Sequence, residues 1–426
     1  MAETSVILKE RVVAMGGSCM ELTPYDLDAD MTAGTLFNPS IICDGEGGFH
    51  LSFRHAPQLF VQRRYQSTYN FLWSAPPVTE CNHVRSDIYG CTMSAELCTP
   101  GKTEKMFPGF VESLDNKVQS IEDFRFARCS SDVVTGFASM PHDSYREVPM
   151  CVFEKDLRTG EYHCEEILTD RLVEKNWQPV LVAGDNGVPV LYMPDVSRSV
   201  MGVVDVTGRT MSVPVSGGSG ASTGPQLGQY RGSSQLVPTP EGDGFLTLWH
   251  YTTGVPYLRN WQYWHVFVKI DEEGRTVRIS KPFLFEGFNI EFCCGLAYYN
   301  DNYYVTYSVM DSAPMLLRVP RDVMNALLFD DFIKETPAAS VLYECYDDRL
   351  LRYRNAGWLF TYFNLCQFFG AAVKNLAKAA EYYRRADEVI DGLKFPFACD
   401  AERQRNSLRY ETLFQLNELR RNGVKF

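Results

Sequence analysis

Short segments of alternating apolar and polar residues follow one another from about residue 35 to residue 320. They are rich in aromatic and β-branched residues, which favour strands. Examples lie at 48–54 (GFHLSFR), 188–193 (VPVLYM), 244–250 (GFLTLWH), 263–270 (YWHVFVKI) and 302–309 (NYYVTYSV). Turn-forming groups of Asp, Asn and Gly separate many of these segments, and no segment has the apolar period of a helix. The pattern predicts an all-β domain built from hairpins.

The length of this β region narrows the choice of architecture. Many short strands in one long domain are typical of a propeller or a large sandwich. No fixed repeat is visible along the segments, so periodicity alone does not give a number of blades. The pattern therefore leaves both architectures open.

The apolar pattern changes at residue 321. The stretch 322–335 (DVMNALLFDDFIKE) predicts a short helix, and 365–391 places apolar residues at alternating spacings of four and three. We therefore predict two units, a β domain at 1–320 and a helical C-terminal extension at 321–426. The extension is expected to pack on the β domain or on a second copy of the chain, as in a homodimer.

The charge balance excludes two classes of partner. A net charge of −12 disfavours a general nucleic-acid binder and a protein held on anionic lipid, because both need a basic face. No apolar stretch approaches the roughly 18 residues of a membrane helix. The amino-terminal residues lack the basic and then apolar pattern of a signal peptide. We expect a cytoplasmic protein with no nucleic-acid or membrane partner.

Cysteine and histidine spacing gives no sign of a metal site. The chain has 13 cysteines without a CxxC pair, and its seven histidines form no HExxH or similar pair. Reduced thiols that act as small apolar residues are the simplest interpretation. We expect neither a metal nor another cofactor.

Polar clusters recur where the predicted strands end. They are FNPS at 37–40, EDFR at 122–125, EKNW at 174–177, RGSS at 231–234, WH at 249–250, YWH at 263–265 and IEF at 290–292. In a propeller each blade delivers a loop to one axial pocket, so a single site can be assembled from distant positions. Aromatic rings mixed with carboxylates, amides and Arg suit a sugar, whose faces stack while its hydroxyls need donors and acceptors.

The order of these clusters resembles that of the five-bladed propellers of glycoside hydrolase family 130 and the related trypanosomatid β-1,2-mannosyltransferases and mannoside phosphorylases. The resemblance spans residues 37 to about 318, and the helical extension lies outside it. It implies a five-bladed β-propeller with a C-terminal α-helical extension. It also implies an enzyme, a glycosyltransferase or glycoside phosphorylase that acts on β-mannosides.

The resemblance carries over to individual residues. Asp123 in the EDxR motif corresponds to the family's proton donor, although Phe124 stands where relatives usually have Pro. Two further groups follow in the same way. The sugar-binding residues are Asn38, Arg54, Glu291 and Asp311. The phosphate-binding residues are Lys175, Arg231, His250, Tyr263 and His265.

The predicted chemistry uses one acid. An inverting glycosidase normally needs a second carboxylate about 6.5–9.5 Å away to activate water. A phosphorylase can dispense with that base, because phosphate is already an anionic nucleophile. No carboxylate partner of Asp123 is evident in the sequence. We therefore predict an inverting β-1,2-oligomannoside phosphorylase, which reversibly converts a β-mannoside and phosphate into α-mannose 1-phosphate and a shortened oligomannoside.

Two alternatives remain at this stage. The trypanosomatid relatives suggest a β-1,2-mannosyltransferase that draws on GDP-mannose. A propeller can also bind glycans or proteins without catalysis. Transfer from GDP-mannose but not from mannose 1-phosphate would favour the first alternative, and binding without turnover would favour the second.

Overall fold

A computed structural model of the chain describes most of the β region in separate ranges. The described residues are 7–22, 35–45, 47–56, 60–62, 69–71, 86–96, 98–110, 120–141, 147–167, 175–181, 187–195, 198–205, 210–212, 230–253, 262–280, 282–286, 291–309, 311, 313–329 and 384. They form five antiparallel sheets and one separate hairpin.

Each of the first three sheets takes its strands from one continuous stretch of sequence. Blade 1 contains β2 (Thr35–Cys43), β3 (Gly48–Ala56), β6 (Asp87–Ser94) and β7 (Glu104–Lys105), and the separate hairpin of β4 (Phe60–Gln62) and β5 (Tyr69–Phe71) lies between β3 and β6 in sequence. Blade 2 contains β8 (Glu122–Cys129), β9 (Val133–Ser139), β10 (Met150–Asp156) and β11 (Tyr162–Glu166). Blade 3 contains β12 (Gln178–Pro179), β13 (Val188–Asp195), β14 (Arg198–Asp205) and β15 (Thr210–Ser212).

The last two sheets complete the ring. Blade 4 contains β16 (Arg231–Gly232), β17 (Val237–Pro238), β18 (Phe245–Thr253), β19 (Gln262–Ile270) and β20 (Thr276–Ile279). Blade 5 contains β21 (Glu291–Tyr299), β22 (Asn302–Val309), β23 (Ala313–Pro320) and β1 (Ser18–Glu21). Because β1 pairs with β23, the amino-terminal strand completes the sheet formed by the last three strands.

Contacts between blades close the ring. The innermost strand of blade 1, β2, contacts β8 of blade 2 and β21 of blade 5, while β12 contacts β8, β13 contacts β16, and β18 contacts β21. Five sheets joined in this cycle form a five-bladed β-propeller, which confirms the predicted fold. The large sandwich is excluded.

Apolar clusters fill the spaces between neighbouring blades, because each sheet buries both faces against its neighbours. The cluster between blades 1 and 2 includes Ile88, Phe107, Phe124 and Phe153. Blades 2 and 3 share Phe137, Val152, Trp177 and Val190, and blades 3 and 4 share Val180, Leu191, Trp249 and Val266. Blades 5 and 1 share Leu51, Ala297, Tyr304 and Leu316. Between blades 4 and 5 the rings of Phe285 and Tyr307 stack at 4.1 Å.

Helices flank the propeller in sequence. Helix α1 (Leu8–Ala14) precedes β1, and helix α2 (Arg321–Phe329) begins directly after β23 and buries Val323, Met324 and Leu327. This confirms a helix at the predicted start of the C-terminal extension. The remainder, 330–426, lies outside the described residues except for residue 384. The second predicted helix, the domain boundary and the homodimer therefore stay predictions.

The described residues contain neither a membrane-spanning helix nor a cluster of metal-ligand side chains. No described helix has the length and apolar character that crossing a bilayer requires. Within the same ranges, no group of three or more His, Cys, Asp or Glu side chains is arranged to hold a metal ion.

Candidate active site

The predicted site residues lie at one end of the propeller axis, where the innermost strands begin. Asn38 of β2 contacts Asp123 of β8, and Arg125 of β8 contacts Asn176 just before β12. Arg231 begins β16, and Glu291 begins β21. The polar clusters of β2, β8, β12, β16 and β21 thus lie in or beside inner strands. The clusters at 249–250 and 263–265 lie on the paired strands β18 and β19, and His250 of β18 stands opposite Arg231 of β16.

Irregular backbone marks this end of the axis. Asn38, Asp123, Asn176 and Asp311 have positive φ angles of 47°, 54°, 62° and 49°. The register of strand pairing shifts at Asn38 in β2 and at Asp123 in β8, as in β-bulges. A bulge turns a side chain out of its normal alternation, and such conformations cluster at functional sites. The bulges thus interrupt the alternation of both strands at Asn38 and Asp123, whose side chains hydrogen-bond to each other.

Phe124 anchors the bulge that carries Asp123. Its ring is buried and lies 5.7 Å from the ring of Phe107 and 5.2 Å from that of Phe126. A Cβ atom added to Gly136 on the paired strand would come 2.2 Å from the Phe124 ring. The Phe124 ring therefore fills a pocket that glycine leaves open beside the bulge.

The Asp123 carboxylate is held by two predicted sugar-binding residues. Asn38 Nδ2 donates a hydrogen bond to Asp123 Oδ1 at 2.7 Å, and Arg54 Nη1 lies 3.7 Å from the same oxygen. Ser308 Oγ donates to Asn38 Oδ1 at 2.6 Å, which fixes the orientation of the amide. The Asp123 side chain remains 15% exposed, so it is accessible from the pocket.

A charged triad lies beside Asp123. Glu122 is buried, and its two carboxylate oxygens accept hydrogen bonds from Arg54 Nη2 at 2.8 Å and Lys175 Nζ at 2.9 Å. Arg54 also donates through Nε to Ser86 Oγ at 2.9 Å. Lys175, a predicted phosphate-binding residue, is therefore paired with a carboxylate in this structure.

Arg125 connects three blades below the pocket. It is buried, and its Nε donates to the Ser233 carbonyl oxygen. Its Nη1 donates to the Asp123 carbonyl oxygen at 3.1 Å, and its Nη2 donates to Asn176 Oδ1 at 3.3 Å. Its guanidinium carbon lies 5.9 Å from the centre of the Phe292 ring. The motif Arg thus supports the backbone of both Asp123 and blade 4.

Blade 4 supplies an aromatic wall. The rings of His250 and Tyr263 stack at 5.8 Å, and Ser233 Oγ lies 2.8 Å from His250 Nδ1. Burial, together with neighbouring basic groups, holds the pKa of His250 well below its usual range. His250 is therefore neutral at neutral pH, and it can offer an anion a hydrogen bond but not a charge.

Tyr263, Arg231 and Asp311 share the pocket with Asp123. Burial raises the pKa of Tyr263, as do the negative charges of Asp311 and Asp123, while the positive charge of Arg231 lowers it. Arg231 is exposed, and within the described ranges we find no ion pair for its guanidinium. The predicted acid, a predicted sugar ligand and two predicted phosphate ligands thus act on one another electrostatically.

Asp311 has an unusual titration. Its pKa is raised from 3.8 to about 6, chiefly by burial, while the positive charge of Arg54 opposes the shift and the negative charges of Asp123 and Glu122 add to it. A carboxyl group with such a pKa can both accept and donate a proton near neutral pH. The site therefore contains a second titratable carboxyl group, which sequence reasoning assigned only to sugar binding.

Two predicted ligands lie beneath the pocket wall. His265 is fully buried, its ring lies 4.8 Å from that of Phe285, and burial lowers its pKa to about 3. Glu291 is also fully buried, and its oxygens accept backbone N–H hydrogen bonds from Phe285 at 2.7 Å and Glu286 at 2.9 Å. Both residues support the wall here, and their ligand-binding roles stay predictions.

Several residues of the site were not predicted as such. They are Glu122, Arg125, Asn176, Ser233 and Phe292. All five belong to the polar clusters in the sequence, and four of them begin or flank an inner strand. The signal that could have found them is therefore position, since polar clusters that begin or flank inner strands meet one another in the structure.

Comparisons with known proteins come from solved structures alone. No family model matches the sequence, and no curated protein matches it. A β-1,2-mannobiose phosphorylase from Listeria innocua is similar, with 13% identity, a TM-score of 0.47, and coverage of 70% of this chain and 93% of that one. A mannose phosphorylase from Leishmania mexicana, in complex with phosphate ion, has 12% identity, a TM-score of 0.41, and coverage of 73% and 92%.

A third similar structure is described with the GH130 family of mannoside phosphorylases, which contains glycoside hydrolases that target β-1,2 mannosidic linkages in Candida mannan. It has 12% identity, a TM-score of 0.48, and coverage of 68% of this chain and 85% of that one. These three structures come from the group of enzymes that the motif order resembles.

Proposed function

We propose that the protein is an inverting phosphorylase of β-1,2-linked oligomannosides, with Asp123 as the acid. The observation that supports this most is the placement of Asp123. It stands on a bulge with positive φ, accepts a hydrogen bond from Asn38, and faces a pocket that also contains Arg231, Tyr263 and Asp311. An accessible carboxyl group held on irregular backbone is expected of a catalytic residue rather than of a structural one.

The reaction assigns one task to each part of the pocket. Asp123 gives its proton to the glycosidic oxygen, while a phosphate oxygen attacks the anomeric carbon from the opposite face and the carbon–oxygen bond to the shortened oligomannoside breaks. The hydroxyl proton of hydrogen phosphate is released to solvent, from which Asp123 is reprotonated. Attack opposite the β-linked oxygen produces α-mannose 1-phosphate. No metal or organic cofactor enters these steps.

The sugar and the phosphate are expected on different sides of the pocket. Asn38, Arg54 and Asp311 carry amide, guanidinium and carboxyl groups that can bind hydroxyls beside the acid. Arg231 supplies an exposed positive charge for the phosphate, and the neutral rings of His250 and Tyr263 add hydrogen-bonding groups. This division follows the distribution of charge among the described residues, because the exposed Arg231 lies on blade 4 and the carboxylates Glu122, Asp123 and Asp311 lie on blades 2 and 5.

Hydrolysis is a second candidate, and Asp311 is the observation that favours it. A carboxyl group with a pKa of about 6 is ionised at neutral pH and can serve as the base that activates water. The presence of this group weakens the argument that Asp123 has no carboxylate partner. Release of free mannose without phosphate would identify a hydrolase.

One experiment separates the candidates. The purified protein is incubated with β-1,2-mannobiose with and without phosphate, and a β-1,2-mannoside acceptor is offered mannose 1-phosphate or GDP-mannose in parallel. A phosphorylase forms mannose 1-phosphate only with phosphate and extends the acceptor from mannose 1-phosphate. Free mannose without phosphate, transfer from GDP-mannose alone, or binding without any product would each refute the proposal.

A further inference from the structure

Glu122 is a buried carboxylate that stands directly before the acid and is held by two cations. Arg54 of blade 1 donates to Oε1 at 2.8 Å, and Lys175 before blade 3 donates to Oε2 at 2.9 Å. The Glu122 side chain is 5% exposed, whereas that of Lys175 is 31% exposed. One buried carboxylate therefore holds two of the cations that line the pocket.

Three cations of the site already have hydrogen-bond partners, so an incoming anion would have to compete for them. Arg125 is committed to two carbonyl oxygens and to Asn176, and Arg54 and Lys175 face Glu122. To bind Lys175, phosphate would have to displace Glu122 from it. That exchange leaves a buried carboxylate with one partner fewer, next to a new negative charge, and both effects oppose binding.

We propose that Glu122 is a positioning residue, which holds Lys175 and Arg54 and thereby weakens the binding of phosphate. The inference rests on the proposed phosphorolysis, and it names the residue that sets the affinity for the anionic co-substrate. Weak binding has a chemical use here. Phosphate that is bound by fewer cations is less stabilised in the ground state. The free-energy difference between the bound ground state and the transition state is then smaller.

The test is a titration of the purified full chain with inorganic phosphate by calorimetry. Glu122→Gln keeps the shape of the side chain and removes its charge. It removes the negative charge that Lys175 faces, and a charge-assisted hydrogen bond from Lys175 to phosphate should then lower the dissociation constant about tenfold or more. Glu154→Gln is the matched control, because Glu154 in β10 contacts Thr135 and none of the site residues described above. It should leave the dissociation constant unchanged.

A double variant keeps the test possible if Glu122→Gln alone is unstable. Glu122→Gln/Lys175→Gln removes one charge of each sign, so the net charge of Glu122, Lys175 and Arg54 is unchanged and the dissociation constant should lie within about threefold of the wild-type value. A tenfold loss in the double variant would show that Lys175 already binds phosphate in the wild type, and it would overturn the inference. The double variant therefore gives a result even if Glu122→Gln alone does not fold.

Kinetics supply a second readout. Glu122→Gln should lower both the KM for phosphate and kcat, because tighter binding before the reaction is not matched in the transition state. If the wild type binds phosphate and Glu122→Gln binds it equally or more weakly, the inference fails and the proposed function stands. If neither protein binds phosphate, the proposed function fails and the inference fails with it.

Discussion

Asp311 provides a prediction with a defined pH window. Burial raises the pKa of this partly buried carboxyl group from 3.8 to about 6 in the folded protein. A raised pKa means that the folded state holds the proton more tightly than the unfolded state. The contribution to stability is therefore complete below pH 3.8, and it is lost as the pH rises to about 6 and beyond.

The size of the effect follows from the shift. One pKa unit corresponds to about 1.36 kcal/mol, so ionisation of Asp311 should cost the folded protein on the order of 3 kcal/mol at neutral pH. Asp311→Asn removes the ionisation but keeps the size of the side chain. The variant should therefore gain stability relative to the wild type as the pH increases from 4 to 8, by about 2–3 kcal/mol.

The assay is urea unfolding of both proteins across this pH range, followed by tryptophan fluorescence. Asp132→Asn, an equivalent change on an exposed hairpin, serves as the control and should follow the wild type. A stability difference between Asp311→Asn and the wild type that is the same at pH 4 and pH 8 would refute the reasoning. It would show that Asp311 titrates alike in the folded and unfolded chains.

Two further substitutions test the basic side of the pocket. Arg231→Ala removes the exposed cation, and the loss of a charge-assisted hydrogen bond of about 1.5–3 kcal/mol should raise the KM for phosphate roughly 10- to 100-fold. Steady-state kinetics with varied phosphate measure this, and an unchanged KM would remove Arg231 from the phosphate site. His265→Phe replaces a fully buried, neutral ring, so the KM for phosphate should stay within about twofold of the wild-type value. A large increase in the KM for phosphate would indicate that His265 binds the phosphate.

The strands could largely be predicted from the sequence pattern, but their arrangement into a closed ring of five blades could not. The segment 302–309 coincides with β22, and 263–270 falls within β19, because alternation reports which residues face a neighbouring sheet. The strand that completes blade 5, Ser18–Glu21, is too short to show a pattern of its own. Its pairing with Ala313–Pro320 is a long-range contact that no local signal encodes. The number of blades therefore came from the resemblance, and the structure confirmed it.

The sequence predicted where the site residues lie along the strands, but not which of them line the pocket and which are buried behind it. Polar residues at the starts of inner strands converge, as the contact between Asn38 and Asp123 shows. Whether a residue lines the pocket or supports it depends on distant neighbours. Glu291 turns its oxygens to backbone amides before β21, and His265 lies against Phe285, which is distant in sequence. Bulges also depend on the register of the paired strand, so the exposure of Asp123 could not be derived from its motif.

The central claim is that Asp123 protonates the glycosidic oxygen. The most direct test compares Asp123→Asn with the wild type on two substrates, a β-1,2-mannobioside and an aryl mannoside whose leaving group needs no proton. Loss of general-acid catalysis should reduce the rate on the first substrate by about 10²- to 10⁴-fold, with the fold intact by circular dichroism, and should reduce the rate on the second far less. Full turnover of the mannobioside by Asp123→Asn, or an equal loss on both substrates, would contradict the account.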